Sequence, residues 1–315
     1  MNKKESFLTV ALFACIAIMG LNCSKNSVSI ENNKHKFASG VVSTGWLDSN
    51  ITMKDLVLID VRSAAAFSDG HIPNSVNIPF SVPVSDWLAS NTALLVELPE
   101  IDTLASILGQ KGISINSKVV LIGSNPTNED PYALAAPTRV ALTLAYAGLK
   151  NLAILDGGFN KWAAEQRNTT TEITALPTVT FNAKVNSNMF VDINYIKSNK
   201  EKATILDARD LNVYTGEVTE PFAGKPGHIP GALSLPAPSM WNSDWTYKSR
   251  DQISDMAKSV AGEDKNKEII IYCGVGGYAS TVWMALAQIM DYENVKVYDG
   301  SAQEWTIEND MVTGN

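Results

Sequence analysis

The chain has 315 residues, 45% hydrophobic and 18% charged, a balance that excludes a wholly disordered or collagen-like polymer and, at roughly 100–200 residues per domain, predicts two domains. Its formal net charge of −8 comes without a Lys/Arg-rich run, which excludes nucleic acid as a partner and leaves anionic small molecules only a local pocket. Three cysteines and three histidines, with no cluster at ligand spacing, argue against a zinc or iron–sulfur site.

Lys3 and Lys4 precede an apolar run, 7–19, that is too short to span roughly 30 Å of hydrocarbon. Residues 1–22 therefore read as a signal peptide. Cys23 stands where a bacterial lipoprotein is cleaved and acylated, and the Asn-, Ser- and Lys-rich stretch 23–39 reads as a flexible tether. Gly20 and Asn22 depart from the usual lipoprotein box but also make a poor small-x-small site. Lipid attachment at Cys23 is the expectation, with ordinary cleavage nearby as the alternative. The chain is then an exported protein of the cell envelope or periplasm, touching membrane only through its anchor. Cys273 is left as a thiol without an intramolecular disulfide partner.

The body is one pattern written twice. The first copy runs from Leu58-Ile59-Asp60-Val61-Arg62 through Gly70-His71-Ile72-Pro73 to Asp156-Gly157 and Trp162. The second runs from Ile205-Leu206-Asp207-Ala208-Arg209 through Gly227-His228-Ile229-Pro230 to Asp299-Gly300 and Trp305. The interval from Asp-x-Arg to Asp-Gly is 96 residues in one and 92 in the other, so the match is a repeat and not a coincidence. The expected domains are 40–167 and 189–315, with the polar, β-branched stretch 168–188 as linker. Short aliphatic runs, 119–122 and 269–272, read as strands buried on both faces. Helices are predicted over 138–147, ending at Gly148, and over 279–290, with Val282, Ala285, Leu286 and Ile289 on one face. Strand, loop, helix and strand in this order predict an α/β fold of two tandem domains, each a mainly parallel sheet flanked by helices.

Cys273 directly follows the run 269–272 and is followed by Gly274, Val275, Gly276, Gly277 and Tyr278. A thiol at the carboxyl end of a buried strand, before a glycine-rich turn and a helix, lies where open α/β sheets bind ligands. The glycines let backbone N–H groups approach the sulfur, and the helix start adds its positive dipole end, which together predict a stabilised thiolate or persulfide anion. A space-filling buried cysteine and a glycine turn that merely packs a helix are the alternatives for the isolated motif.

Both copies resemble rhodanese domains, and the pair resembles a tandem-domain sulfurtransferase of the rhodanese/mercaptopyruvate type over roughly residues 40–315. That resemblance implies a sulfurtransferase whose C-terminal domain carries the nucleophile, Cys273, and whose N-terminal domain has lost it; the matching position is Gly123. It implies transfer of a sulfane sulfur from a small donor of the thiosulfate or 3-mercaptopyruvate class, through a Cys273 persulfide, to a thiol or cyanide acceptor. Residues 274–278 would hold the substrate or persulfide, with Arg209 as a weaker contributor. No metal or organic cofactor is implied, and a monomer is expected.

The chain departs from that family in charge. Its loop Gly-Val-Gly-Gly-Tyr has no cation, and Val213 stands where many members place an arginine, which weakens the case for thiosulfate. The Ser and Thr of mercaptopyruvate-type loops are absent too, so the donor is open. Tyr278 can serve either as a hydroxyl donor or as interface packing. Lys248 and Arg250 read as a solvated face more readily than as part of a cleft. Arg62 recurs with Arg209, and His71 with His228, in the copy without the thiol, so ion pairs and satisfied turns explain them. Phosphate ester hydrolysis needs an arginine closing a longer loop, and Ala279 holds that place. The competing reading is a non-enzymatic scaffold or persulfide carrier in the cell envelope.

Overall fold

Aliphatic runs without polar alternation fit strands buried on both faces, and the sheets of this protein are built from them. The computed structural model describes Phe37 and residues 39–90 and 92–314; the expected leader, Cys23 and most of the tether lie outside these. Strands β1 (Val41–Val42), β2 (Leu56–Asp60), β3 (Ser75–Asn77), β4 (Lys118–Ile122) and β5 (Asn151–Leu155) form one parallel sheet in the order β1-β5-β4-β2-β3. Strands β6 (Phe190–Val191), β7 (Thr204–Asp207), β8 (Leu233–Ser234), β9 (Ile269–Tyr272) and β10 (Val295–Tyr298) repeat it in the order β6-β10-β9-β7-β8. Helices α1 (Thr44–Asn50), α2 (Ala64–Ser68), α3 (Ile101–Gln110), α4 (Ala135–Tyr146) and α5 (Gly158–Ala164) accompany the first sheet. Helices α6 (Ile193–Asn199), α7 (Leu211–Tyr214), α8 (Arg250–Ala261), α9 (Gly277–Trp283) and α10 (Ser301–Glu308) accompany the second. The fold is α/β, two similar parallel domains in tandem.

The repeated motifs close each domain on itself. Arg62 turns back on Asp60 through Nε and a terminal nitrogen and also donates to the Gly70 carbonyl at 2.9 Å. Arg209 does the same to Asp207 and to the Gly227 carbonyl, at 2.7 Å. His71 and His228 stack on Phe67 and Tyr214 and bond through Nδ1 to those residues' carbonyl oxygens at 2.8 and 2.9 Å. The Trp162 indole donates to the Asn168 carbonyl and that of Trp305 to Asp310, while His71 and His228 pair antiparallel with Thr170 and Val312. Residues 168–172 are thus stitched to the first domain, although composition alone places the linker from 168. Further on, Val179 and Lys184 donate to the carbonyls of Gly109 and Ala147, and Phe181 is buried, so the connection is strapped to α3 and α4.

Helix α9 starts at Gly277, two residues before the expected Ala279, and widens into a π-helical turn over Met284–Ile289. Its burial is not confined to one stripe: 279 through 286 are all buried, because one side packs on its own sheet and the other meets α4. Across that contact Thr138 Oγ1 bonds the hydroxyls of Ser280 and Thr281 at 2.9 and 3.0 Å, which satisfies polar groups that would otherwise be stranded in the interior. One hydrophobic core runs through both domains, from Leu121 and Val140 to Ile271 and Val282.

Candidate active site

Each Asp-Gly element reaches across to the other domain. Asp299, at the end of β10, accepts from the Leu98 N–H at 3.0 Å and from Arg139 at 2.7 Å. Asp156, at the end of β5, accepts from the Tyr247 N–H at 2.8 Å. In both receiving loops the residue two positions before the capped amide is left-handed: Val96 at φ +62° and Trp245 at φ +65°. For a β-branched residue such as Val96 this costs about 1–3 kcal/mol and persists only under external constraint. The constraint is visible: Gln303 bonds both the N–H and the carbonyl of Leu95 at 2.9 Å, and the buried Arg139 guanidinium donates to the Val96 carbonyl.

That clamped loop forms one wall of a cavity of about 130 Å³ at the domain junction. The first domain contributes Phe80, Val82, Leu95, Val96, Tyr132, Ala135 and Ala136; the second contributes Cys273, Gly274, Val275, Gly277, Tyr278, Glu220 and Phe222. Cys273 follows β9 directly, is 1% exposed, and is among the residues that line this cavity. The amides of Ala302 and Gln303 donate to the carbonyls of Cys273 and Gly274, so α10 holds these carbonyls and the Gly276 N–H is free to donate to Cys273 Sγ at 3.1 Å. Gly276 has φ +93°, and a Cβ there would lie 3.1 Å from Arg139, so this turn requires glycine.

Of the residues singled out from sequence, Gly274, Val275, Gly277 and Tyr278 line the cavity with Cys273, and Gly276 contacts the sulfur. Arg209 does not line it: its guanidinium is taken by Asp207 and Gly227, and its remaining nitrogen lies 3.7 Å from Glu220. Tyr278 meets Tyr132 of the first domain edge to face at 5.3 Å while facing the cavity, which joins its two alternatives in one position. Lys248 donates to the Ser239 carbonyl and Arg250 pairs with Asp291, both away from the cavity.

Of the two anions the loop is expected to stabilise, a thiolate or a persulfide, the thiolate needs correction. Burial pushes the Cys273 thiol up from its ordinary range; the N–H groups of Ala279, Val275 and Gly276 pull it down, but the Glu220 carboxylate adds to the upward push. Main-chain amides therefore do not outweigh desolvation, and the surroundings favour the thiol over the thiolate. Burial likewise raises Glu220 to about 7, against the pull of Arg209.

The Rhodanese-like domain family matches residues 43–165 and again 193–308, the two copies described above. The chain belongs to this family. As a rhodanese-type sulfurtransferase it is 30% identical over 282 residues to a Mycobacterium leprae protein named "Putative thiosulfate sulfurtransferase", covering 84% of this chain and 94% of that one. It is 28% identical over 279 residues to "Sulfur carrier protein TtuD" of Thermus thermophilus, covering 84% and 93%. The anaerobic ergothioneine biosynthesis enzyme of Chlorobium limicola shares the fold with a TM-score of 0.74 at 23% identity, over 88% of this chain and 70% of that one.

The rhodanese-like repeat makes the matching position in the copy without the thiol easy to locate. Gly123 follows β4 as Cys273 follows β9, and Trp241, Trp245 and Tyr247 close over it, leaving about 20 Å³. Sequence reasoning missed Glu220, Tyr132, Arg139 and Val96. Tyr132 precedes, and Arg139 lies within, helix α4 of the copy without the thiol, and Glu220 lies in a loop that carries no repeated motif. The one available signal was the acidic residue shortly before Gly-His-Ile-Pro.

Proposed function

We propose that this rhodanese-type sulfurtransferase takes a sulfane sulfur from a small donor onto Cys273 as a persulfide and passes it to a thiol or cyanide. The observation that carries the reading is Cys273 in the lining of the interdomain cavity, with the Gly276 N–H donating to its Sγ from 3.1 Å. The thiol loses its proton, the thiolate attacks the outer sulfur of the donor, and the rest of the donor leaves as sulfite, an enolate or a thiolate. The inward amides are positioned to hold charge that develops on the transferred sulfur. Thiosulfate enters as a donor through the name of the mycobacterial relative, and 3-mercaptopyruvate through the family resemblance. A carrier reading has its own support in the cation-free cavity wall and in the name of the Thermus relative.

The test is cyanide-dependent thiocyanate release with each donor, together with intact-mass measurement of wild type and Cys273→Ser. Wild type should gain the mass of one sulfur and turn over, and the variant should lose both, by at least about 10³-fold in rate. A persulfide without turnover supports the carrier; neither persulfide nor turnover leaves the scaffold. We also propose export and attachment at the cell envelope through an acylated Cys23, from the charged, apolar and polar order of residues 1–36. The same mass measurement on native protein reads this: an unmodified Ser or Lys terminus overturns it.

A further inference from the structure

Among the described residues, the wall of the cavity around Cys273 holds no Lys or Arg but does hold one carboxylate. Glu220 projects over the backbone immediately after the nucleophile: a Cβ built on Gly274 would lie 2.6 Å from Glu220 Oε2. That oxygen is buried without a hydrogen-bond partner, since Arg209 stands 3.7 Å away and is already engaged by Asp207 and Gly227. An orphaned acceptor beside a buried thiol is energetically costly unless it receives a proton. The remaining groups that act on it do not supply one by charge: Asp207 and Asp210 are negative, and Tyr132, Tyr278 and the Cys273 thiol are neutral.

We propose that Glu220 carries the Cys273 proton during sulfur transfer and that its charge, on a wall with no cation lining the cavity, selects a hydropersulfide, R–S–S–H, over the thiosulfate dianion. This rests on the persulfide reading above. In the step, Glu220 accepts the proton of Cys273, the thiolate forms a bond to the outer sulfur of R–S–S–H, and the donor S–S bond breaks. The departing R–S⁻ takes the proton back from Glu220 as R–SH, and Cys273 is left as Cys–S–S–H. One S–S bond forms as one breaks, no net oxidation occurs, and one proton makes a round trip. Return transfer to an acceptor thiol runs through the same carboxylate. The apolar walls of Phe80, Val96 and Phe222 suit the alkyl group, and a dianion there would lose its hydration with no cation in return.

The experiment compares full-chain wild type, Glu220→Gln and Gly274→Ala, with an alkyl hydropersulfide released in situ and with thiosulfate. Sulfur gain on Cys273 is followed by mass and kcat/KM from pH 5 to 9. Wild type should prefer the hydropersulfide by about 10²-fold or more, with an inflection near pH 7. Glu220→Gln should lose about 10²-fold with the hydropersulfide, lose that inflection, and narrow the preference over thiosulfate. Gly274→Ala, which must displace the carboxylate, should move the same way. A Glu220→Gln protein with wild-type rate and pH profile, or a wild type that prefers thiosulfate, overturns the proposal while leaving the persulfide intact. Absence of sulfur on wild-type Cys273 with both donors overturns the persulfide reading instead. Should the variants fold poorly, alkylation of wild-type Cys273 by iodoacetamide decides: an inflection near pH 7 supports the proposal, and a single rise above it overturns it.

Discussion

Glu97 is a second carboxylate that burial raises to about 7, with Asp299 and Glu304 adding to the rise and Arg139 opposing it. Its Oε1 is buried without a partner in the domain junction. Between its ordinary value near 4.5 and about 7 the folded protein binds a proton that the unfolded chain has released, so stability is greatest at the acid end and falls as pH rises through this window. Glu220 contributes a slope of the same sign. Thermal melts should show a lower Tm at pH 8 than at pH 5.5. Glu97→Gln should remove about half of that difference, on the order of 1–3 kcal/mol. Neither glutamate was legible as special in the sequence, because their chemistry comes from burial against residues far along the chain. Cys273 was legible, since a lone thiol after an aliphatic run and before three glycines is a local pattern. Its protonation state was not, because local amides act in one direction and the assembled surroundings in the other.

At the level of elements, Asp156 and Asp299 occupy matching places and face opposite domains, yet they do unequal work. Asp299 neutralises the fully buried Arg139 in addition to capping Leu98, whereas Asp156 caps only Tyr247 and its own turn. Asp299→Asn should therefore cost about 3–5 kcal/mol by leaving a buried guanidinium without its counter-charge, and Asp156→Asn only about 1 kcal/mol. Urea unfolding of the two variants measures the difference; equal losses would refute the asymmetry. The repeat revealed both aspartates as motif positions but gave no sign that they point outward to the partner domain. Helix α9 shows a related limit. Its strand-loop-helix setting was readable, while the 3.6-residue stripe captured only part of its burial because α4 covers the opposite side.

At the level of the whole molecule, the duplicated α/β architecture was the most readable property, since parallel buried strands need long aliphatic runs and the motifs recur at nearly equal intervals. The difference between the copies was half readable: Gly123 announced the copy without the thiol, but not that this copy walls the cavity beside Cys273 with Phe80, Val96 and Tyr132. The two domains share one continuous apolar cluster, beside a separate one in each, and one cavity. Under the persulfide route proposed above, a chamber of about 130 Å³ predicts that donor and acceptor visit the sulfur in turn, with the cargo held on the protein between visits. Initial rates plotted in double-reciprocal form at several fixed acceptor levels should give parallel lines, the kinetic trace of a turnstile.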